Sequence, residues 1–256
     1  MPRTPQLFIR FGWKSDRGHV RKNNEDYVSW FIPAENQAGR LKAPALFVVA
    51  DGVGGHAAGE VASNLVCTTL VEGFRSAADK TRIPELLNQL IQKANSEVLQ
   101  AAAQPGQTGM ASTVVCAVFH ANRFTVAHVG DSRAYLFFQD QIRLLTHDHT
   151  ILNEMLRQGL LDPGDAENQV PRNILSRAIG KKGTIHPDVL GPMELPRGSR
   201  ILLCSDGING LLEDERIESI LREHVEQPQA ACDALVRQAN ERGGLDNASA
   251  IVIAVD

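Results

Sequence analysis

Several features that would mark other classes of protein are missing from this sequence of 256 residues. Its cysteines form no CxxC pair, which argues against a zinc knuckle and suits a reducing compartment. The formal net charge is only −4, which indicates neither nucleic acid nor an anionic membrane as a partner. The apolar run at 7–9 is too short for a signal peptide, and no segment approaches the roughly 20 apolar residues that span a bilayer. We therefore expect a cytoplasmic monomer that spans no membrane.

Hydrophobic residues make up 43% of the chain, which is enough for a sizeable core. Neither an internal repeat nor a low-complexity linker divides the sequence, so we predict a single domain over residues 1–256. Each cysteine stands among apolar neighbours, and we expect all four to be small buried side chains. They are Cys67, Cys116, Cys204 and Cys232.

Short runs rich in Val, Ile and Phe recur and predict β-strands, with helical patterns between only some of them. This order favours an α+β fold of antiparallel sheets with helices on their outer faces over a doubly wound parallel sheet. The runs at 123–130 and 132–139 lie so close together that they predict a hairpin. The polar stretch at about 146–188, punctuated by Gly and Pro, predicts a mostly helical flap. The other predicted strands are 27–32, 45–50, 113–119, 142–145, 200–204 and 248–255, and the predicted helices are 60–74, 84–102 and 229–242.

Four aspartates stand at the ends of apolar strands, beside turns: Asp51, Asp131 and Asp206 follow a strand, and Asp246 precedes one. A strand end holds a carboxylate rigidly, and a following glycine lets the backbone turn sharply. If the four converge, they cannot all be ionised without a cation between them. Oxygen ligands favour Mg²⁺ or Mn²⁺, and two such ions suit the hydrolysis of phosphate esters. Asp-Gly is also a common turn dipeptide, so each aspartate taken alone can equally be a turn residue.

A second cluster of charge lies upstream in the segment RKNNEDY. Glu25 and Asp26 precede a predicted strand and could face the same site, and Arg21 could hold a phosphate oxygen with its planar guanidinium. The alternative is a solvated group of charges. Further along, His147 and His149 have a spacing that is only weakly indicative of a metal site. We predict that Asp148 or Thr150 caps a helix there.

Five motifs in this order resemble the PP2C-like (PPM) family of metal-dependent protein serine/threonine phosphatases, bacterial type: RKNNED, DGVGGHAAGE, GDSRAY, SDGI and LDNAS. They run from Arg21 to Ser249 and cover nearly the whole chain. The resemblance implies a sandwich of two antiparallel sheets with helices outside. It also implies that water activated by two manganese or magnesium ions hydrolyses phosphoserine and phosphothreonine, without a phospho-enzyme. The sequence has no CxxxxxR phosphatase loop, which agrees with that mechanism.

The resemblance assigns roles residue by residue. Asp51 would bridge both ions, and the Gly52 carbonyl would bind one of them. Asp206 and Asp246 would be terminal ligands of the other, and Asp131 would help Asp206 to bind a third ion. Arg21 would orient the substrate phosphate, and Glu25 and Asp26 would support the metal site.

One position departs from the pattern of many eukaryotic relatives, which carry a histidine directly after the metal-binding Asp-Gly. Val53 stands there in this chain, and His56 follows three residues later. We interpret His56 as a loop or capping residue rather than as a replacement acid.

The expected substrates are phosphoproteins, with a cognate Ser/Thr kinase and its targets as partners. Two alternatives stay open: a phosphatase dedicated to one regulatory phosphoprotein, and a catalytically silent member that binds partners. The weakest alternative, a nucleotide-binding module, is not favoured because the glycines after Asp51 miss the GxGxxG spacing.

Overall fold

The computed structural model describes residues 7–54, 58–162 and 170–256, and for residues 37–39 it describes the backbone alone. Eleven strands are seen in this part of the chain, all paired antiparallel. They are β1 Ile9–Asp16, β2 Asp26–Phe31, β3 Ala45–Val53, β4 Ala111–Ser112, β5 Val114–His120, β6 Arg123–Val129, β7 Arg133–Phe138, β8 Gln141–Leu144, β9 Asp188–Glu194, β10 Arg200–Cys204 and β11 Ala248–Val255.

The strands form two sheets, with the orders β1-β11-β10-β7-β8 and β2-β3-β5-β6-β9. The short β4 pairs with the end of β3. The predicted hairpin of 123–130 with 132–139 is wrong, because β6 and β7 lie in different sheets. Gly130 has a φ of +105° and, with Asp131, carries the chain from one sheet to the other. Strand β7 instead forms a hairpin with β8, whose turn residues Gln139 and Asp140 both have positive φ.

Three apolar layers explain why the central strands are buried on both faces. Between the sheets, Phe47 and Val49 of β3 meet Ile251 and Ile253 of β11. The opposite face of β3 packs against the first two helices, and the opposite face of β11 packs against the last two. The predicted α+β sandwich of antiparallel sheets with helices on the outside is therefore confirmed.

The α-helices of the described residues are α1 Ala58–Ser76, α2 Ile83–Ala102, α3 Ile151–Arg157, the single turn α4 Asp206–Asn209, α5 Asp214–Glu223 and α6 Pro228–Glu241. A 3₁₀ helix covers Ala34–Gly39. The predicted apolar face of α2 is confirmed, since Leu87, Ile91 and Val98 are fully buried. Within the described ranges, no helix has the length and apolarity that crossing a bilayer requires. All four cysteines are free and buried, as expected.

The segment predicted as a mostly helical flap contains one short helix, α3, among its described residues. Thr150 caps it, because its side-chain oxygen accepts a hydrogen bond from the Asn153 amide. The rest of its described residues form turns and single bridges, of which Ser112–Ile179 ties the segment to the body of the fold and Thr150–Leu175 joins two parts of the segment itself. Four glycines and three prolines between 159 and 187 disfavour long helices in this segment.

Candidate active site

The four strand-end aspartates, Asp51, Asp131, Asp206 and Asp246, line one cavity of about 520 Å³. They come from both sheets: Asp51 lies near the end of β3, and Asp131 lies at the crossing between β6 and β7. Asp206 follows β10 as the first residue of α4, and Asp246 immediately precedes the Asn247 that leads into β11. The convergence that the sequence left as a condition is therefore present. Arg21, Glu25 and Gly52 line the same cavity.

The backbone around Asp51 is held by hydrogen bonds from a distant part of the chain. Its amide donates to Thr113 Oγ1 at 3.0 Å, and its carbonyl accepts from the Thr113 amide at 2.8 Å and from Ser112 Oγ at 3.0 Å. Gly52 is required next to it, because a Cβ there would lie 2.1 Å from the Gly59 carbonyl oxygen. These contacts fix the direction in which the Asp51 carboxylate leaves the strand.

On the other side of the cavity, Asp206 and Asp246 are held by close backbone packing. A Cβ on Gly207 would lie 2.0 Å from the Asn247 carbonyl oxygen, so only glycine allows α4 to approach the loop before β11. Asp246 Oδ1 accepts from the Asn247 amide at 2.8 Å, and its Oδ2 accepts from Arg21 Nη2 at 2.5 Å. Arg21 is therefore in the site, but it bonds a carboxylate of the site itself.

Burial and mutual repulsion raise the pKa values of Asp51, Asp131 and Asp206. Burial raises the pKa of Asp51 well above its usual range, and the nearby Asp26, Asp206 and Asp131 raise it further. Burial together with the charge of Asp206 raises the pKa of Asp131 to about 7. The pKa of Asp206 is raised by burial and by Asp246, although Arg21 opposes the shift. The site therefore concentrates more negative charge than its own cations neutralise.

The acidic pair Glu25–Asp26 is divided between the cavity and the core beneath it. Glu25 lines the cavity, and burial raises its pKa. Asp26 lies opposite Asp51 in the β2–β3 pairing and is buried, with its Oδ2 accepting from Ser205 Oγ at 2.7 Å. Burial is the main reason that the pKa of Asp26 rises to about 7. The alternative of a solvated group of charges therefore does not hold for Asp26, which is buried.

The atoms around the cavity fit hard divalent cations. Asp206 Oδ1 and Asp26 Oδ1 are buried without a hydrogen-bond partner among the described residues, which is costly unless something else supplies one. A Cβ on Gly59 would lie 2.6 Å from Glu25 Oε2 and 2.9 Å from the Gly52 carbonyl oxygen, so both oxygens border space that only glycine leaves open. Carboxylate and carbonyl oxygens are the ligands that Mg²⁺ and Mn²⁺ prefer.

A protein-family profile described as Protein phosphatase 2C matches residues 19–238. The chain belongs to the protein phosphatase 2C family. It is accordingly a serine/threonine protein phosphatase, as the five motifs implied. The serine/threonine phosphatase stp of Listeria monocytogenes is 34% identical over 248 residues, which is 95% of this chain and 95% of that protein.

Solved structures agree with this membership of the 2C family. The serine/threonine phosphatase of S. agalactiae matches with a TM-score of 0.88 and 29% identity, over 97% of this chain and 100% of that one. The catalytic domain of the serine/threonine phosphatase PstP, in a crystal structure in complex with two manganese ions, matches with a TM-score of 0.80. It is 31% identical, over 97% of this chain and 99% of that one.

Two residues of this 2C-type site were not found from the sequence. Thr113 holds the backbone of Asp51 and shares a hydrogen bond of 2.7 Å with Ser132, the residue after Asp131. Nothing in the local sequence marks it. Asn247 donates to the carbonyls of Arg17 and Asn23 at 2.9 Å, and its Oδ1 accepts from the Glu25 amide at 2.7 Å. The LDNAS motif contains Asn247 and could have indicated it.

The cavity also has a wall from the segment after α3, which sequence reasoning did not resolve. Its members in the described residues are Asn173, Ile174, Leu175, Ala178 and Lys181. Val53, which stands where many eukaryotic relatives have histidine, lines the cavity and is 44% exposed. His56 lies outside the described residues.

Proposed function

We propose that this phosphatase is metal-dependent and that its acidic cavity is where divalent cations and the phosphoryl group meet. The single observation that carries the proposal is the convergence of Asp51, Asp131, Asp206 and Asp246 in one cavity, where burial and neighbouring charge raise the pKa values of the first three. Repulsion of this kind is relieved by bound cations, and the two manganese ions of the PstP structure show which cation a relative takes up.

The residues divide the work in the proposed site. Asp51 would bridge two Mn²⁺ or Mg²⁺ ions, the Gly52 carbonyl would bind one, and Asp206 and Asp246 would bind the other. Asp131 together with Asp206 would hold a third ion. When bound, such ions supply an acidified water and neutralise charge on the phosphoryl oxygens.

The supporting groups act on the ligands and on the substrate. Glu25 borders the open space beside the Gly52 carbonyl, and Asp26 lies buried opposite Asp51, so that both add negative charge to the metal side of the cavity. Arg21 is 51% exposed in its side chain and contacts Asp246 through one nitrogen of its guanidinium. Its position supports a role in orienting a substrate phosphate, for which a planar, multidentate donor is well suited.

We propose phosphoserine and phosphothreonine proteins as substrates, among them a cognate Ser/Thr kinase and its targets. The half-exposed cavity of about 520 Å³ suits a phosphorylated side chain that is presented by a flexible peptide. A phosphatase dedicated to one regulator would use the same chemistry, and the breadth of accepted peptides separates the two. The intact set of carboxylates argues against a silent, partner-binding member.

The decisive experiment is release of phosphate from a phosphothreonine peptide by the purified protein with Mn²⁺, with Mg²⁺ and with EDTA. The Asp206→Asn variant is the matched inactive form, and Asp140→Asn, in the β7–β8 turn, is a control for the loss of one carboxylate. We expect release only with metal, and only from the wild type and the control. Equal release in EDTA would contradict the metal site. Activity on one phosphoprotein but not on a panel of phosphopeptides would favour the dedicated phosphatase.

A further inference from the structure

A second cluster of titratable side chains lies beside the acidic cavity, at the point where β6 ends. His128 and His149 are buried, and their rings stack with centroids 4.5 Å apart. Asp188 opens β9 directly opposite His128, and its Oδ2 lies 3.2 Å from His149 Nε2. The ligand-type atoms of the three residues lie within 4.8 Å of one another. A metal site is the first possibility that this cluster raises.

The hydrogen bonds argue against a metal there. The Gly130 amide donates to His149 Nδ1 at 3.1 Å, so that nitrogen is the acceptor and the ring proton must reside on Nε2. Nε2 then has no lone pair for a cation, and it lies 3.2 Å from Asp188 Oδ2. His128 Nε2 lies 2.9 Å from the His147 carbonyl oxygen and so donates to it. With these tautomers only one free lone pair is left on the two rings, on His128 Nδ1, and the rings do not present a pair of ligands to a cation.

We propose that His149 is a positioning residue for Asp131, acting through Gly130. Its ring accepts from the Gly130 amide, and its own backbone amide donates to the Gly130 carbonyl at 2.9 Å. Gly130 has a φ of +105°, and a Cβ there would lie 2.6 Å from Thr113 Cγ2, so both sides of this residue are enclosed. The next residue is Asp131. The inference rests on the proposed function insofar as Asp131 is taken to bind an ion.

Asp188 and its neighbours keep the His149 ring in the required tautomer. Oδ2 of Asp188 faces Nε2, and its Oδ1 accepts from Arg177 Nη1 at 2.8 Å, which keeps the carboxylate ionised and fixed. Burial, together with the stacked His128, lowers the pKa of His149 to about 4, so the ring is neutral and Nδ1 stays free to accept. The partner of one ring nitrogen sets which nitrogen of a histidine carries the proton.

A clamp is needed because Asp131 sits in an unfavourable field. It shares one cavity with Asp51, Asp206 and Asp246, and like charges so close together repel one another. Without a fixed backbone, the Asp131 carboxylate would turn away from the cavity whenever no cation compensated the repulsion. The two hydrogen bonds between His149 and Gly130 oppose that rotation.

The first test reads the tautomer in the metal-free, full-length protein and does not depend on activity. Long-range ¹H–¹⁵N spectra of histidine side chains distinguish a protonated Nε2 from a protonated Nδ1. We expect His149 with the proton on Nε2, and unchanged ring signals when Zn²⁺ is added. A proton on Nδ1, or a Zn²⁺-induced shift of both stacked rings, would overturn the proposal in favour of a metal site.

The second test separates the two ring nitrogens. In His149→Asn the side-chain oxygen can replace Nδ1 and still accept from Gly130, whereas in His149→Gln the polar group falls near Nε2 and the acceptor is lost. His147→Gln, two residues away and exposed, is the matched control. The readouts are Mn²⁺ binding followed by electron paramagnetic resonance, the Gly130 amide signal and the melting temperature.

We expect His149→Gln to weaken binding of the same ion whose binding Asp131→Asn weakens. The affinity should fall by roughly 10- to 100-fold, the usual effect of losing a group that orients a ligand. His149→Asn should retain most of that affinity, and His147→Gln all of it. Equal losses in the Asn and Gln variants, in step with the melting temperature, would reduce His149 to a packing role. If Asp131→Asn leaves Mn²⁺ binding unchanged, the proposed role of Asp131 is wrong. The tautomer of His149 and the Gly130 amide signal would then decide whether His149 holds Gly130.

Discussion

Two neighbouring regions of this phosphatase both contain partly or fully buried aspartates, but the negative charge of these aspartates is balanced in opposite ways. In the acidic cavity, Asp131 is buried among other carboxylates, and its pKa is raised to about 7. Beside it lies a corner formed by Arg133, Asp148, His149, Arg177 and Asp188. Burial also acts on Asp188 there, but the interactions with Arg177 and His149 outweigh it and leave the pKa of Asp188 lowered. Within the described residues, the negative charges of the corner are balanced by other side chains of the protein, whereas those of the cavity are not.

The difference separates a structural from a functional use of charge. Arg133 donates to both carboxylate oxygens of Asp148, at 2.9 and 2.7 Å, and these side chains are only 23% and 11% exposed. Such a pair is complete, and removing one partner leaves a buried charge uncompensated. The cavity has Arg21 and Lys181 against four aspartates and Glu25, and the proposed cations would supply the positive charge that is missing. The predictions below act on one region at a time.

The largest effect is expected from Asp206→Asn in the cavity. Phosphate release should fall by roughly a thousandfold or more, the upper range for loss of an electrostatic catalytic group. The fold should remain intact, because Asp206 repels Asp246 more than it bonds any neighbour. Steady-state kinetics and thermal unfolding of the metal-free protein measure both. An active variant would remove Asp206 from the metal site.

The opposite response is expected in the corner from Arg133→Met. The free energy of unfolding should fall by about 3–5 kcal/mol, because Asp148 would keep its charge without a partner. Urea titration measures this loss. The double variant Arg133→Met/Asp148→Asn should recover part of it, and no recovery would show that the two side chains do not form a stabilising pair.

The pH dependence of stability tests the cavity without any substitution. Between the usual aspartate pKa of about 4 and the raised value of about 7, the folded metal-free protein holds a proton on Asp26 that the unfolded chain has lost. Raising the pH through this window therefore favours unfolding, by up to about 1.4 kcal/mol per pH unit for one such group. Asp131 adds to the slope.

Urea unfolding in EDTA at several pH values between 4 and 7 measures this slope. Saturating Mn²⁺ should flatten it, and Asp26→Asn should make it shallower. A flat profile in EDTA would mean that the carboxyls of the cavity ionise freely.

A smaller effect is expected from Arg21→Ala at the rim. The KM for a phosphothreonine peptide should rise about tenfold, the usual cost of one hydrogen bond to a charged group. Stability should change little, because the Arg21–Asp246 pair is half exposed. Arg21→Lys should recover part of the affinity. An unchanged KM would confine Arg21 to holding Asp246.

Much of the site could be predicted because its information is local. Each of Asp51, Asp131, Asp206 and Asp246 is marked by an apolar run and a turn, and the motifs occur in the family order. The contacts that aim these carboxylates are not local. Thr113 lies 62 residues from Asp51, and Asn247 lies 222 residues from Glu25, and no periodicity indicates such pairs.

The fold shows the same limit. The layers could be predicted from hydrophobic runs, but the partners of each strand could not. The spacing around Gly130 is typical of a hairpin, yet pairing of β6 with β9 and of β7 with β10 separates the two strands. Strand β9 was missed because Gly191-Pro192 interrupts its apolar pattern, and β1 was missed because its sequence, IRFGWKSD, mixes charged and apolar residues.

The crossing of the chain between the two sheets has a consequence for the order of assembly. The cavity takes Asp51 from one sheet and Asp206 and Asp246 from the other, and Asp246 stands just before the strand that pairs with β1. During synthesis the first strand must wait for β11, and the carboxylate set is incomplete until then. If the proposed site is the active one, a chain that is still being made lacks the complete set of carboxylates, and phosphatase activity requires that both sheets have closed.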